Sequence, residues 1–373
     1  MHSRAACDKA VSVRLCIQKG RRFYNGFDLH ISFSRKALFI HRHVKEIPMF
    51  RTLCCALAVL ALSASAAFAA PVALKLGHIA DPQNPYAQGA VKFSELVKEK
   101  TGGSVDVQVF PSSQLGNQRD LVEGLTFGTV DMTLTSTAVF GNFVPEMGVF
   151  DLPFLFRDIE HAYKALDTVG MDIAKQGEAR GIKTLAMMEN GVRHMTNNRQ
   201  PIKVPADMKG LKVRVMEQPV YIEMMKQLGA SPTPMAFSEI YTALEKGVID
   251  GQENPLAHIW TSRFFEVQKY ISLTAHTYSA EPVLISMIAW KKLSPEQQQA
   301  LQEAAVEAAA WQRDLCRQLE GDYITKITES GKSAINDDVD LAAFAETTKP
   351  TWKIFADKHK NGQAIIDRIV NTK

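Results

Sequence analysis

The sequence predicts an α/β fold with two lobes, mixed but mostly parallel sheets, flanking helices and a ligand cleft between the lobes. Two stretches of the chain alternate strands with helices, and a helix-rich C-terminal third follows them. No Pro-, Gly- or Ser-rich linker separates independent domains, so we expect strands that cross between the lobes. With 373 residues, 46% of them hydrophobic, the chain is long enough to bury the cores of two lobes.

The first alternation of strands and helices begins at Val72 and ends at Ser136. Alternating apolar residues predict the strands, and 3.6-residue apolar spacing followed by glycine predicts the helices. This β-α-β-α-β order is typical of a parallel sheet with helices on both faces. The predicted strands are Val72–His78, Ser104–Phe110 and Asp131–Ser136, and the predicted helices are Pro85–Lys100 and Gln118–Phe127.

The second alternation has the same order and is followed by helices at Ser294–Gly321 and Leu341–Val370. We predict a first lobe of residues 70–190 plus about 280–318, and a second of 191–279 plus about 319–373. Ligands of such sheets bind outside the carboxyl ends of the strands. The predicted strands are Lys212–Met216, Ser231–Pro234 and Ile249–Gln252, and the predicted helices are Val220–Leu228 and Ser238–Lys246.

The segment Met49–Ala69 has the form of a secretory signal peptide, with a basic start, an apolar run and an Ala-x-Ala end. The apolar run is shorter than the roughly 20 residues of a membrane-spanning helix. We therefore expect cleavage after Ala69 and a periplasmic protein.

Residues 1–48 precede this signal, and we interpret them as the product of a start codon assigned too early, with a disordered basic extension as the alternative. N-terminal sequencing of the unprocessed precursor would distinguish the two.

Composition excludes several function classes. The net charge of +3 arises from the basic residues 1–48, whereas the body after Ala69 is mildly acidic and does not predict nucleic-acid binding. The chain has no Gly-x-Ser-x-Gly, His-Glu-x-x-His, phosphate-loop or Cys-x-x-Cys motif, so we expect neither an enzyme nor a cofactor or metal site. Cys316 is the only cysteine after the signal, and we predict a buried free thiol in a helix.

Two arginines in the middle of the chain are the first candidates for ligand binding. Arg193 follows a glycine in Asn190–Asn197. In the strand around Arg214 the apolar residues Leu211, Val213 and Val215 alternate with basic ones, so Arg214 points away from the apolar face near the carboxyl end of the strand.

The segments that contain these arginines resemble the DctP-type solute-binding proteins of tripartite ATP-independent periplasmic (TRAP) transporters. The resemblance covers about residues 72–370. It implies a periplasmic-binding-protein-like fold that closes on its ligand and delivers it to a sodium-coupled permease of a small and a large membrane subunit. Four further segments carry the resemblance: Pro111–Gly116, Phe150–Phe154, Gly229–Tyr241 and Val248–Pro255.

The same resemblance implies roles for four residues. Arg214 would form a bidentate salt bridge with the ligand carboxylate, with Arg193 as a second arginine, Asn254 on the other side of the carboxylate and Phe237 as a pocket aromatic. The planar guanidinium suits this task because its donors match both carboxylate oxygens. The alternatives are protein salt bridges for both arginines, a turn before Pro255 for Asn254, and a core position for Phe237.

The identity of the ligand stays open between two classes. Sialic-acid-binding members carry Glu and Arg where this chain has Ser136 and Val139, which disfavours sialic acid and makes Ser136 a candidate for contact with a different ligand. Glu217 follows Arg214 closely and would accept hydrogen bonds from hydroxyls but repel a second carboxylate, which favours a uronate or aldonate over a C4-dicarboxylate. His78 and Tyr86 are candidates for the opposite wall of the cleft.

Two functions fit these observations: delivery of a small organic acid to a TRAP permease, and presentation of the ligand to a signalling partner. Neighbouring genes for a small and a large membrane protein would favour the first, and a sensor-kinase gene the second. We expect a monomer rather than a dimer.

Overall fold

A mixed sheet of nine strands runs through residues 70–373, the part of the chain that the computed structural model describes. The predicted signal peptide and the residues before it lie outside this range. The strands are β1 (Val72–Gly77), β2 (Val105–Phe110), β3 (Met132–Leu134), β4 (Ile182–Asn197), β5 (Lys212–Val215), β6 (Ser231–Pro234), β7 (Gly251–Pro255), β8 (Tyr270–Ser286) and β9 (Ala334–Asn336).

The order of the strands is β2-β1-β3-β8-β4-β7-β5-β6, with β9 paired to β8. The pairs β3–β8, β8–β4 and β4–β7 are antiparallel and the remaining pairs are parallel, which confirms the predicted mixed, mostly parallel α/β architecture. The two strand–helix stretches share one sheet because β4 and β8 are long. One end of β8 pairs with β3 and the other with β9.

Helices cover both faces of this sheet. Short 3₁₀ turns at Pro145–Asp151, Lys175–Arg180, Pro205–Met208, Phe237–Glu239 and Phe264–Glu266, and a π turn at Leu166–Gly170, connect some of them. Within residues 70–373 no helix is both long and apolar enough to cross a membrane. The helices are α1 (Pro85–Lys100), α2 (Gln118–Phe127), α3 (Thr137–Phe140), α4 (Ile159–Ala165), α5 (Met171–Ala174), α6 (Pro219–Gln227), α7 (Ile240–Glu245), α8 (Leu256–Thr261), α9 (Met287–Trp290), α10 (Pro295–Ser330), α11 (Leu341–Thr348), α12 (Pro350–Lys358) and α13 (Gly362–Val370).

Local capping explains why α1 and α2 begin and end where the sequence predicts. The Asn84 side chain accepts a hydrogen bond from the Tyr86 amide at the start of α1. At the start of α2, Asn117 and Asp120 form a reciprocal capping box, and α2 ends at Gly128, whose φ of 74° is left-handed. These signals lie within a few residues of each helix end.

Helix α10 is longer than the sequence predicts. The expected end at Gly321 is wrong, because the helix continues to Ser330 and ends at Gly331, with a left-handed φ of 62°. A glycine inside a helix costs only about 1 kcal/mol, which tertiary packing outweighs. The helix packs on α1 and β4, and Cys316 lies buried on it as a free thiol, as predicted.

The C-terminal helices pack in two different places. Phe344 of α11 joins a core cluster with Val213 and Met224 of the second strand–helix stretch. In contrast, Phe355 of α12 and Ile366 of α13 join a cluster that also contains residues between β3 and β4. The boundaries given above for the two lobes stay a prediction.

Candidate functional site

Arg214 is a buried cation on β5. Its side chain is 2% exposed, and Nε and Nη2 donate to the Met235 carbonyl oxygen at 3.0 and 2.8 Å. No carboxylate of residues 70–373 forms a salt bridge with it. Burial lowers the pKa of Arg214 to about 10, so the guanidinium stays charged at neutral pH. A buried cation without a paired carboxylate is suited to bind an anion.

A cleft opens in front of Arg214 between elements of the two strand–helix stretches. Its volume is about 190 Å³. Three of the sequence-predicted site residues line it: Arg214, Glu217 and Phe237. The other lining residues are Asn117, Gln118, Arg119, Val139, Asn142, Met216, Met235 and Ala236.

Glu217 lies at the mouth of this cleft and connects its two walls. Its side chain is 50% exposed, and Oε2 lies 3.5 Å from Nη1 of Arg119 at the start of α2. Its carbonyl oxygen accepts a hydrogen bond of 2.9 Å from Asn142 Nδ2, just after α3. Ligand contact by the Glu217 carboxylate stays a prediction. The structure shows two other contacts of Glu217, with Arg119 and Asn142, which join the two walls of the cleft.

Arg193 has a carboxylate partner within the protein. Its Nε lies 2.5 Å from Glu253 Oε2, and its Nη2 donates to Glu253 Oε1 at 2.8 Å. Both side chains are at most 1% exposed. Burial disfavours the charge of Arg193, but the Glu253 carboxylate outweighs this effect and raises the pKa of Arg193. The protein salt bridge considered for Arg193 is therefore present, and direct ligand contact through its remaining donors stays a prediction.

Asn254 lies between the two arginines. The order β4-β7-β5 places Arg193, Asn254 and Arg214 on three adjacent strands. Asn254 Oδ1 accepts a hydrogen bond of 3.1 Å from Arg193 Nη2, and its Nδ2 donates to Gln252 Oε1. Arg214 pairs in register with Gln252. The sheet thus brings together the three residues for which a shared carboxylate was predicted.

A chain of aromatic rings leads from the cleft to His78 and Tyr86. The Phe237 ring centroid lies 4.9 Å from that of His258, which lies 5.5 Å from that of Tyr86, and the Tyr86 ring lies 5.5 Å from His78. Burial lowers the pKa of His78 to about 4 and that of His258 to about 3, so both rings are neutral at pH 7. His78 and Tyr86 are therefore connected to the cleft through His258, which sequence reasoning missed.

Ser136 contacts the cleft indirectly. It caps α3 by accepting from the Val139 amide at 3.4 Å, and its hydroxyl donates to Sδ of the cleft-lining Met216 at 3.5 Å. Val139, the other position that differs from the sialic-acid-binding members, lines the cleft directly.

The sequence analysis missed several polar residues around Arg193, because no local sequence pattern distinguishes them from ordinary polar residues. Glu253 would have been the easiest of these residues to recognise from the sequence, since the run Gln252–Asn254 is polar and yet belongs to a strand. All three of its side chains are buried, and His276 Nε2 of β8 lies 3.3 Å from Glu253 Oε2. Among residues 70–373 no group of three or more His, Cys, Asp or Glu side chains is arranged to hold a metal ion.

Asp151 is a buried acid near Arg193, and its titration makes a testable prediction. Its Oδ1 accepts hydrogen bonds from Thr137 Oγ1 at 3.0 Å and the Tyr221 hydroxyl at 3.3 Å. Burial is the largest effect on its pKa and raises it to about 7. The folded protein therefore keeps a proton that the unfolded chain releases near pH 4.

Whether Asp151 raises or lowers the stability as pH changes follows from the numbers of protons that the folded and unfolded states bind. Between about pH 4 and 7 the folded state binds more protons than the unfolded state, so Asp151 destabilises the fold as pH rises, by up to about 1.4 kcal/mol per pH unit. Asp151→Asn keeps the acceptor oxygen and removes the titration. We expect the free energy of unfolding of the variant, measured with urea relative to the parent, to increase from pH 4 to 7 and then level off. Parallel pH profiles would contradict this prediction.

Comparisons with known proteins place this geometry in context. Residues 76–359 match the family model DctP, described as bacterial extracellular solute-binding protein, family 7. The chain is 42% identical over 274 residues to the 2,3-diketo-L-gulonate-binding periplasmic protein of Escherichia coli (strain K12), which covers 73% of this chain and 83% of that protein.

Two crystal structures of TRAP periplasmic solute binding proteins have the same fold. The protein from Polaromonas sp. JS666, bound to D-erythronate, matches with a TM-score of 0.78 and 40% identity over 81% of this chain and 99% of that chain. The protein from Sulfurospirillum deleyianum DSM 6946, with bound succinate, matches with a TM-score of 0.77 and 34% identity over 82% of this chain and 100% of that chain. These similarities confirm the predicted fold class and the resemblance read from the sequence.

Proposed function

Because the chain belongs to the bacterial extracellular solute-binding proteins of family 7 (DctP), we propose that it captures a small organic acid and delivers it to a sodium-coupled TRAP permease of small and large membrane subunits. The family consists of binding proteins, and the chain is not an enzyme. In this proposal a cleaved signal peptide at Met49–Ala69 exports the chain to the periplasm, where it works as a monomer.

One observation carries the proposal: Arg214 is a buried cation that faces a cleft and has no carboxylate partner among residues 70–373. A ligand carboxylate would supply the missing opposite charge. In a closed, poorly screened cleft such a pair is strong, and its two parallel hydrogen bonds orient the ligand.

The contacts of Glu217 support closure around the ligand. Its carboxylate and carbonyl oxygen bind Arg119 and Asn142 on the opposite wall. These contacts join the walls only when the cleft is narrow, so ligand binding and wall contact favour the same conformation.

A thermal-shift screen tests the binding part of the proposal. A ligand that binds only the folded state stabilises it by about 4 kcal/mol at a concentration of about 1,000 times its Kd. We expect at least one carboxylate among D-erythronate, D-galactonate, D-glucuronate and succinate to raise the Tm by several degrees, and D-galactose, a neutral sugar, to leave it unchanged. An equal response to neutral and anionic sugars would contradict carboxylate recognition.

Transport is tested separately. Proteoliposomes that contain the small and large subunits of a TRAP permease from the same organism should take up the ligand found in the screen only when this protein and an inward sodium gradient are both present. Uptake that does not depend on the protein would contradict the delivery role while leaving the binding role intact.

A further inference from the structure

Asp151 forms a hydrogen bond between side chains that belong to two hydrophobic clusters. Its chain neighbours Phe150 and Leu152 belong to the cluster that contains residues between β3 and β4. Tyr221 of α6 belongs to the cluster of the second strand–helix stretch. The Tyr221 hydroxyl donates to Asp151 Oδ1 at 3.3 Å, and both side chains are fully buried. This hydrogen bond therefore joins the two clusters inside the protein.

Tyr221 connects Asp151 to the arginine next to the predicted carboxylate site. The guanidinium carbon of Arg193 lies 5.5 Å from the centre of the Tyr221 ring, within the range of a cation–π interaction. Arg193 in turn donates to Asn254 Oδ1 at 3.1 Å. Asp151 does not line the cleft at Arg214, so its influence on a ligand there comes through this chain of contacts and through its charge.

One carboxyl oxygen of Asp151 is satisfied and the other is not. Oδ1 accepts hydrogen bonds from Tyr221 and from Thr137 Oγ1, whereas the buried Oδ2 has no hydrogen-bond partner among residues 70–373. A buried carboxylate with an unpaired oxygen is costly when it is charged. This burial raises the pKa of Asp151 to about 7, so the neutral acid and the anion are both populated near neutral pH.

The other ionisable groups around Asp151 keep one charge state near neutral pH. Arg193 and Glu253 form a buried ion pair and stay charged. Burial raises the pKa values of Tyr221 and Glu281 well above their usual values and lowers those of the nearby histidines, which favours the uncharged forms of all these side chains. Asp151 is therefore the member of this set whose charge changes just above pH 6.5. The set comprises Arg193 and His194 of β4, Tyr221 of α6, Glu253 of β7, His258 of α8, and His276 and Glu281 of β8.

A bound carboxylate would shift the balance between the two forms of Asp151. Its negative charge, placed at Arg214 and near Arg193, disfavours a second anion in the same poorly screened interior. Ligand binding then raises the pKa of Asp151 and takes up a fraction of a proton near pH 7. By linkage, the affinity is highest where Asp151 is protonated and falls as pH rises through its pKa.

We propose that Asp151 is a positioning residue for ligand capture: it holds Tyr221 against Arg193, and its neutral form favours the bound carboxylate, so that the protein binds its ligand more tightly at mildly acidic than at mildly alkaline pH. This inference rests on the proposed function, because it assumes that a ligand carboxylate binds at Arg214. It adds to that function a response to the pH of the surroundings.

Calorimetry at pH 6.5 and 8.5 tests the inference. The probe is the tightest binder among D-erythronate, D-galactonate, D-glucuronate and succinate. A rise of one unit in the pKa of Asp151 on binding corresponds to a change in Kd of at most about tenfold. We expect the Kd of the unmodified protein to increase at least about threefold from pH 6.5 to 8.5. The Kd of Asp151→Asn, which keeps the acceptor oxygen and cannot titrate, should stay constant. Ionisation of the probe itself is the same for both proteins and cancels in the comparison.

Counting protons gives a second measurement that a purely structural role of Asp151 would not change. Titrations at pH 7.5 in HEPES and in Tris, which differ in their ionisation enthalpies, report the protons exchanged on binding. We expect the unmodified protein to take up a fraction of a proton and Asp151→Asn to take up none.

Tyr221→Phe tests the connection between Asp151 and Arg193. The substitution keeps the ring on Arg193 but removes the hydroxyl that donates to Asp151, and we expect binding about fivefold weaker at pH 6.5. The matched control is Tyr278→Phe, because Tyr278 is also a buried tyrosine but packs against Phe156 and Tyr163, and its hydroxyl has no partner in the described range. The control should have the affinity and the pH profile of the unmodified protein. Circular dichroism and thermal melting establish that each variant folds.

The outcomes separate the two proposals. If none of the four carboxylates binds to the unmodified protein, the proposed function fails and this inference fails with it. If a carboxylate binds equally well at pH 6.5 and 8.5, or if Asp151→Asn keeps the pH dependence, only this inference is overturned. Should Asp151→Asn not fold, binding to the unmodified protein without proton uptake overturns it. An unchanged affinity of Tyr221→Phe would overturn the positioning role.

Discussion

Replacing Arg214 with alanine is expected to weaken binding of an organic-acid ligand by about 3 kcal/mol or more, which corresponds to more than about 100-fold in Kd. The substitution removes a buried cation that has no carboxylate partner among residues 70–373, and leaves the ligand carboxylate desolvated and unpaired. Isothermal titration calorimetry with the ligand identified by thermal shift measures the effect.

Arg214→Lys should also weaken binding strongly. An ammonium group cannot reproduce two parallel hydrogen bonds to a carboxylate while retaining the two bonds that the guanidinium donates to Met235. The matched control is Arg199→Ala, since Arg199 is half exposed and pairs with Asp250 at the surface. We expect it to bind the ligand as the parent does. An affinity that is unchanged in Arg214→Ala would overturn the central assignment of the site.

Glu253→Gln is expected to lower the free energy of unfolding of the ligand-free protein by about 3 to 5 kcal/mol. Glu253 is the carboxylate partner of Arg193, and neither side chain has contact with solvent that could compensate for loss of the pair. The neutral amide would leave the Arg193 guanidinium buried without a counter-charge. Urea denaturation at pH 7 in the absence of ligand measures the change, because bound ligand would add its own stabilisation.

The control for this second substitution is Glu266→Gln. Glu266 pairs with Arg263 at 2.6 Å, but the side chain of Arg263 is 68% exposed. Water screens such a pair, so little change in stability is expected. Similar losses from both substitutions would mean that burial does not distinguish the two ion pairs, contrary to the argument for Arg193.

Arg193 and Arg214 look alike in the sequence but differ in the structure. Each follows a short apolar or glycine-containing segment, and both resemble ligand-binding arginines of the family. In the structure Arg193 is neutralised by Glu253, sixty residues later in the chain, whereas Arg214 donates only to a backbone carbonyl. A pairing over that separation leaves no local pattern in the sequence.

The long strands β4 and β8 were not predicted from periodicity. They contain buried polar residues such as Glu189, His194, His276 and Glu281, which interrupt the apolar pattern expected of central strands. Of these residues, His194 and His276 lie close to Arg193 and its partner Glu253, whereas Glu189 pairs with Arg317 of α10. The elements that build the site were therefore the hardest to detect, because functional polar groups replace the apolar residues by which a strand is recognised.

The sequence by itself determined the features that depend on neighbours within a few residues. Caps at Asn84 and Asn117 set the starts of α1 and α2, and the alternation around Arg214 indicated its strand and its role as a candidate. Ordered segments along the chain identified the family. Only the tertiary structure decided that Arg193 has a carboxylate partner, that Arg214 has none among residues 70–373, and that His258 connects Phe237 with Tyr86. The reason is physical: charge pairing and burial depend on distances in space, which strand order sets across hundreds of residues.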